Sequence, residues 1–307
     1  MADEFNSEAR KKPQFGTRFL NNQENVFQHN AWDDVEWNDD LIKQAQEKLK
    51  LNSEITVPVE DQVKYEDEAN IFWDKFYNIH QNRFFKDRHW LFTEFPELTL
   101  KPNESESKSQ ASDPSQINIF EVGCGVGNTV FPILDTNSDS NVMVYCCDFS
   151  ETAISLIKEH PDFDGKRCHP FVLDISSNSW NVPFPENSLN YIILIFVLSA
   201  IHPDKMQYVI NQLVKYLKPG GQILFRDYGK YDMVELRFKP GQCLTDHFYV
   251  RGDGTRVYFF SEDEVHKIFS SAGLSQTQLY SSKRLQVNRG KQLKMYRIWI
   301  QAKYQKL

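Results

Sequence analysis

Ile117-Asn118-Ile119-Phe120-Glu121-Val122-Gly123-Cys124-Gly125-Val126-Gly127-Asn128 decides the fold. It reads as a buried strand, an acid closing that strand, three glycines at alternate positions, and then a helix start. Glycine turns tightly and lets a ligand approach the backbone with no Cβ in the way. Dinucleotide sites space their glycines G-x-G-x-x-G over a pyrophosphate. Here the spacing is E-x-G-x-G-x-G, which suits a ligand with an amino-acid end and a nucleoside end and no pyrophosphate between them. Taken alone, the cluster also fits an ordinary strand-to-helix turn.

The residues that follow favour the ligand. A helix is expected over 129–134, then an apolar strand over 142–147 that ends at Asp148. A carboxylate there can accept both hydroxyls of a ribose, because both of its oxygens are acceptors. Ser150 reads as the N-cap of a helix over 151–159. A third strand over 170–173 ends at Asp174, placed to accept from an adenine amine. The fourth, 191–197, is continuously apolar, as a parallel strand covered on both faces should be, and 220–225 gives a fifth. Each acid alone is more often a cap or loop residue. Three acids at successive strand ends fall where open α/β sheets bind ligands.

This pattern resembles the class I S-adenosylmethionine-dependent methyltransferases. The resemblance implies a Rossmann-like α/β fold: a mostly parallel seven-stranded sheet with helices on both faces. It implies S-adenosylmethionine as cofactor, bound by Glu121, Gly123, Gly125, Asp148 and Asp174, with Ile195 beside it.

Composition sets the outer bounds. The chain has 307 residues; 117–307 is enough for one α/β domain, with an N-terminal extension over 1–100 and a polar linker over 101–116. The five cysteines show no C-x-x-C spacing, so neither a zinc site, or any other metal, nor a disulfide framework is expected. With no apolar leader visible and only strand-sized apolar runs, the expectation is a cytoplasmic protein without a membrane span.

The net charge of −7 argues at first against a nucleic-acid partner. Its distribution changes that. Residues 33–68 hold twelve acids and four lysines, a net of −8, which leaves the rest near neutral. Residues 281–307 carry eight Lys or Arg and no acid. A local phosphate-binding face needs such asymmetry, although a solvated basic tail shows it too.

Elsewhere, helices are expected over 39–51, 65–80 and 203–217. Ser261 with Glu264 forms a capping-box pattern that opens a helix to 270. Two closing strands are expected over 276–280 and 294–303; the latter alternates Met295, Arg297, Trp299 and Gln301 with Tyr296, Ile298, Ile300 and Ala302.

A narrower resemblance rests on Trp73-Asp74-Lys75-Phe76-Tyr77, Asn82-Arg83-Phe84-Phe85-Lys86-Asp87-Arg88-His89-Trp90-Leu91, the Ile195–Met206 block, Leu224-Phe225-Arg226-Asp227-Tyr228-Gly229, Leu236-Arg237-Phe238 and the Phe248–Phe260 block. Together they are similar to the eukaryotic tRNA N3-methylcytidine methyltransferases, which modify position 32 of the anticodon loop. The leader, Phe15-Gly16-Thr17-Arg18-Phe19-Leu20 and 26–37, is similar to the threonine-tRNA branch.

The resemblance implies that tRNA is the partner and leaves open an auxiliary protein such as an aminoacyl-tRNA synthetase. N3 of cytosine has a free lone pair at neutral pH, so the chemistry needs alignment and stabilisation of the positive charge that moves onto the base. Asp227 is the candidate carboxylate near the exocyclic amine, and Arg226 the candidate donor to O2 or a phosphate; the alternative is an internal Arg226–Asp227 ion pair. Phe196 and Tyr228 are candidates to stack on the splayed base. Trp73 and Tyr77, four apart on one helix face, are expected to cover the cofactor; the alternative is a stripe docking the extension. Lys86, Arg88, His89, Arg237, Arg251 and Arg256 are expected to face RNA, since burying such cations is costly. Two other functions compete: a methyltransferase of a protein or small molecule, and a non-catalytic RNA-binding member. The intact acids and glycines argue against the second, and the aromatic-basic blocks against the first.

Overall fold

A computed structural model describes residues 18–100 and 116–307. The start of the leader and all but the last residue of the expected linker lie outside them. The strands are β1 (Ala31–Asp33), β2 (Ile117–Val122), β3 (Val142–Asp148), β4 (Cys168–Val172), β5 (Leu189–Ile195), β6 (Leu217–Tyr228), β7 (Cys243–Thr245), β8 (Phe248–Val250), β9 (Arg256–Tyr258), β10 (Leu274–Asn288) and β11 (Leu293–Lys306). The main sheet runs β1-β10-β11-β6-β5-β2-β3-β4, and β7-β8-β9 form a small second sheet. Strands β2 to β6 pair in parallel; β11, β10 and β1 continue antiparallel. Chain order reverses between β2 and β5, so the ends of β2, β3 and β5 open a crevice at the switch point.

Local chemistry accounts for the central elements. Ile192 to Leu194 of β5 are fully buried, because helices cover both faces of a parallel sheet. The Ser150 hydroxyl accepts from Ala153 N at 3.1 Å and starts helix Glu151–Lys158. The Ser261–Glu264 capping box is complete and opens helix Glu262–Ser271.

Three expectations need correction. The sheet has eight strands, not seven, because leader residues Ala31–Asp33 pair with Arg284–Gln286. Trp32 and Val26 bury themselves against Leu285 and Val287 there. Strand β10 spans fifteen residues rather than five, since β11 and β1 satisfy the backbone of its polar second half. The helix expected over 65–80 is broken at Glu68 into Val59–Asp67 and Ala69–His80. The first piece buries no residue; the second buries Phe76 and Tyr77.

The described part of the extension is built into the domain. Leu91, Phe95 and Leu98 have no exposed surface and share a core with Ile119, Ile133 and Leu224. Among the described residues, no helix is long and apolar enough to cross a membrane, and no group of three or more His, Cys, Asp or Glu could hold a metal.

Candidate active site

A cavity of about 590 Å³ fills the switch-point crevice. Val122 and Gly123, where β2 enters the glycine turn, line it. Gly123 has φ +61, and a Cβ there would sit 2.5 Å from Val197 Cγ2. Gly125 has φ +54, and a Cβ there would sit 2.8 Å from the Tyr77 hydroxyl. Helix Ala69–His80 crosses above. Trp73 and Tyr77 both line the cavity, with ring centroids 5.9 Å apart and planes 29° from parallel. Burial, then the Asp148 charge, holds the Tyr77 phenol well above its ordinary range, so it stays neutral.

Asp148 and Asp174 line the cavity as well. Asp148 Oδ2 accepts from Gly125 N and Oδ1 from Ser150 N, each at 3.0 Å. Burial pushes its carboxyl up to about 6. Asp174 is exposed, and its Oδ1 accepts from Ser176 N at 2.8 Å. Glu121 is buried behind the turn. Arg88 Nη1 lies 3.6 Å from its Oε1 and donates to Thr129 Oγ1 at 2.8 Å. Burial pushes Glu121 up to about 7 although Arg88 opposes it. Glu121 Oε2 is buried with no hydrogen-bond partner among the described residues.

This donor set fits an S-adenosyl amino acid: an orphaned acceptor for an ammonium, a glycine cradle that a Cβ would fill, two carboxylates for a nucleoside, and a pair of aromatic rings. Ile195, Gly125 and Glu121 are not in the lining: Gly125 lies under the Tyr77 hydroxyl, and Glu121 is 1% exposed at the end of its strand. Ile195 is 2% exposed and packed in the core, and the chain reaches the cavity only past the strand end, at Phe196 and Val197.

Two cations expected on the RNA face turn inward. Arg88 is the counter-ion of Glu121, so the cost of burying it is met by a buried carboxylate. Arg256 pairs with Glu66 in the cavity wall, where Lys205 Nζ also reaches Glu66 at 2.5 Å. Burial acts to raise Glu66, but these two hydrogen bonds outweigh it and lower the carboxyl. Arg251 is half-buried 5.8 Å from the Tyr228 ring centroid. Lys86, His89 and Arg237 are exposed.

Of the basic C-terminal residues, Arg284, Arg297 and Lys303 pair with Asp33, Asp232 and Glu97, and Lys306 donates to the carbonyls of Val214 and Leu217. Arg289, Lys291 and Lys294, around the β10–β11 turn, are exposed.

Arg226 and Asp227 do not pair. Successive strand residues point to opposite faces. Asp227 is fully buried; its Oδ2 accepts from Ser199 N and its Oδ1 from Tyr228 N, each at 2.9 Å. Burial pushes it up to about 6. It lines neither this cavity nor the smaller pocket beyond. Arg226 faces that second pocket, of about 140 Å³. Its guanidinium carbon lies 5.1 Å from the Trp90 ring centroid and 5.0 Å from that of Trp299, and Nη1 donates to Gln301 Oε1 at 2.6 Å. Burial lowers its pKa, and Glu94 acts against that shift. Phe196 lines both cavities, has φ +59, and lies 4.9 Å from the Tyr228 ring.

Sequence reasoning missed Asp74, Glu66 and Glu94. Asp74 Oδ1 accepts from the Ser150 hydroxyl at 2.5 Å and tethers the lid helix to the cap of the next helix. Its place beside Trp73 on a cavity-facing helix was the available signal.

Residues 120–223 match the family model described as a methyltransferase domain. The Danio rerio protein named tRNA N(3)-cytidine methyltransferase METTL2 is 55% identical, over 100% of this chain and 93% of its own length. The Saccharomyces cerevisiae tRNA(Thr) (cytosine(32)-N(3))-methyltransferase is 42% identical over 94% of this chain and 45% of its own. Among solved structures, the PH0226 protein of Pyrococcus horikoshii OT3 superposes with a TM-score of 0.50 at 17% identity, covering 76% of this chain and 99% of that one, a likeness of fold. With relatives this similar along its whole length, the chain belongs to the tRNA N(3)-cytidine methyltransferase family.

Proposed function

We propose that this protein transfers a methyl group from S-adenosylmethionine to N3 of cytosine 32 in the anticodon loop of threonine tRNA. The observation that carries the reading is a switch-point cavity with the donor set of an S-adenosyl amino acid, in a chain 55% identical to a named tRNA N(3)-cytidine methyltransferase. The name of the yeast relative supports position 32 and threonine tRNA.

When bound, S-adenosylmethionine supplies an electrophilic methyl group on a sulfonium. The protein binds and orients. Asp148 receives the ribose hydroxyls on the lone pairs that its two backbone donors leave free. Asp174 accepts from the adenine amine. Glu121 Oε2 takes the ammonium, and Arg88 favours the ionised form of that carboxylate. Trp73 and Tyr77 cover the nucleoside and exclude water.

The cytosine leaves the loop stack to expose its Watson–Crick edge and stacks against Phe196; Tyr228 lines neither pocket and instead packs against the Phe196 ring. No general base is needed, since N3 carries its own lone pair; the rate comes from alignment and charge stabilisation. Asp227 contributes by holding the turn at Ser199, just beyond Phe196. Lys86, His89 and Arg237 offer exposed cations to phosphates. A tRNA substrate makes the cytoplasm the expected compartment, and an auxiliary protein could raise tRNA selectivity.

The test is transfer of labelled methyl to threonine tRNA from cells lacking the enzyme, alongside the same tRNA with uracil at position 32. N3-methylcytidine formed in the first and absent from the second is expected. Methylation that survives the replacement, or appears on another atom, would overturn the assignment.

A further inference from the structure

We propose that the pocket beyond Phe196 seats the acceptor cytosine and that Glu94 reads its exocyclic amine. The inference rests on the cytosine-methylating function above and adds the residue that separates cytosine from uracil.

Position is the first argument. Phe196 is the lining residue common to this pocket and the cofactor cavity. The two cavities adjoin at that side chain, so a base held there meets the methyl donor around the edge of the Phe196 ring and not through it. At about 140 Å³ the pocket is scaled to a single ring, whereas the cofactor cavity is about 590 Å³.

The second argument is the chemistry of the walls. Trp90 and Trp299 supply aromatic faces. Trp299 Nε1 is a buried donor with no partner among the described residues. The Glu94 and Arg226 side chains are each only 8% exposed. Glu94 Oε2 accepts from the Tyr280 hydroxyl at 3.0 Å, while Oε1 stands 3.8 Å from Arg226, too far for a hydrogen bond. A carboxylate oxygen is an acceptor, so Oε1 complements the amine of cytosine and repels the O4 of uracil. Arg226 complements O2.

The third argument is charge. As the N3 lone pair forms its bond to the methyl carbon, the carbon–sulfur bond breaks and its electron pair stays on sulfur. The sulfonium charge thereby passes to the base, which shares it with the exocyclic amine and later releases an amine proton to solvent. A carboxylate at that amine stabilises the charge. Glu94 meets this requirement; Asp227 lines neither pocket.

The test measures affinity without turnover. Full-length protein saturated with S-adenosylhomocysteine is titrated, at fixed salt, with threonine tRNA carrying cytosine, uracil or 2-pyrimidinone at position 32. Wild type is expected to bind cytosine about tenfold or more tighter than either other base. Glu94→Gln is expected to bring the three within about threefold, while its thermal shift with S-adenosylhomocysteine matches wild type, because Glu94 lies outside the cofactor cavity. Unchanged discrimination in Glu94→Gln overturns the proposal. So does wild type that binds 2-pyrimidinone as well as cytosine while rejecting uracil, a measurement independent of how the variant folds. Wild type that binds all three alike and forms no N3-methylcytidine overturns the function itself.

Discussion

Helix Ala69–His80 packs on the glycine turn through Phe76, Tyr77 and Val126, and the contact of the Tyr77 hydroxyl with Gly125 can be weighed. Alanine at position 125 meets two penalties. The first is the backbone: φ +54 is left-handed and costs a residue with a Cβ about 1–2 kcal/mol. The second is the new methyl, 2.8 Å from the Tyr77 hydroxyl, while the next atom of that ring, Cζ, is at an ordinary 3.5 Å. Relieving the clash pushes the Tyr77 side chain off its rotamer, at about 0.5–1.5 kcal/mol. Tyr77→Phe removes the oxygen alone. Because the buried phenol stays neutral, the swap changes no charge.

Gly125→Ala should therefore destabilise wild type by about 1.5–3.5 kcal/mol, but the Tyr77→Phe background by only about 1–2 kcal/mol. The coupling of about 0.5–1.5 kcal/mol is read from a double-mutant cycle by urea unfolding of the four proteins. Calorimetry with S-adenosylhomocysteine should show the larger affinity loss in the single glycine variant. Additivity within about 0.3 kcal/mol would refute the contact, and with it the view that Tyr77 rests on the cofactor turn.

Glu121 makes stability depend on pH. Its folded pKa, about 7, is raised from 4.5, so its contribution is full below about 4.5 and is lost as pH rises through 7. Cofactor-free protein should lose on the order of 3 kcal/mol from this group between pH 5 and 8, a slope that Glu121→Gln removes; an unchanged slope in that variant would discard the assignment. Arg88→Met strands the same carboxylate and should cost about 3–5 kcal/mol at pH 8 but less at pH 6, where Glu121 takes up a proton; equal losses in urea unfolding at both pH values would contradict the pairing. Lys86→Ala should lower the slope of log affinity for tRNA against log salt by roughly 0.7–0.9, whereas Lys303→Ala, whose ammonium faces Glu97 at 2.5 Å, should lower the melting temperature and leave that slope alone.

The parallel half of the sheet was legible because each of its signals is local. An apolar run, a closing acid and a cap lie within a dozen residues, as in Ile117–Val122 with its glycines or Val142–Asp148 with Ser150. What misled were partners distant in sequence. Arg88 reads as a surface cation until Glu121 is placed against it, and Arg256 until Glu66, 190 positions earlier, meets it. Strand β1 is three residues long, too short to show a period, and is fixed by burial of Trp32 against the sheet. The Arg226–Asp227 pair carried the opposite lesson. Strand alternation alone sends the two charges to opposite faces, so their adjacency in sequence is no evidence of an ion pair.

The same distance argument explains why the extension matters to the chemistry. Trp73 and Tyr77 line one cavity, Trp90 and Glu94 the other, and Phe196, just past the end of β5, lines both. Between those pairs the chain runs past Arg88, which is anchored to Glu121 behind the glycine turn. The segment that covers the methyl donor is thus continuous with the one that reads the acceptor, and both hang on one buried charge. On the proposal that the cofactor ammonium reaches Glu121 Oε2, binding draws that carboxylate towards its ionised form, which strengthens its hold on Arg88. Loading the first cavity should therefore order the wall of the second before the base arrives. This predicts tighter tRNA binding with S-adenosylhomocysteine present than without it, and by linkage tighter cofactor binding with tRNA present, by the same factor. Arg88→Met should bring that factor towards one even where each ligand still binds alone, and a factor unchanged by the substitution would show that the two cavities act independently.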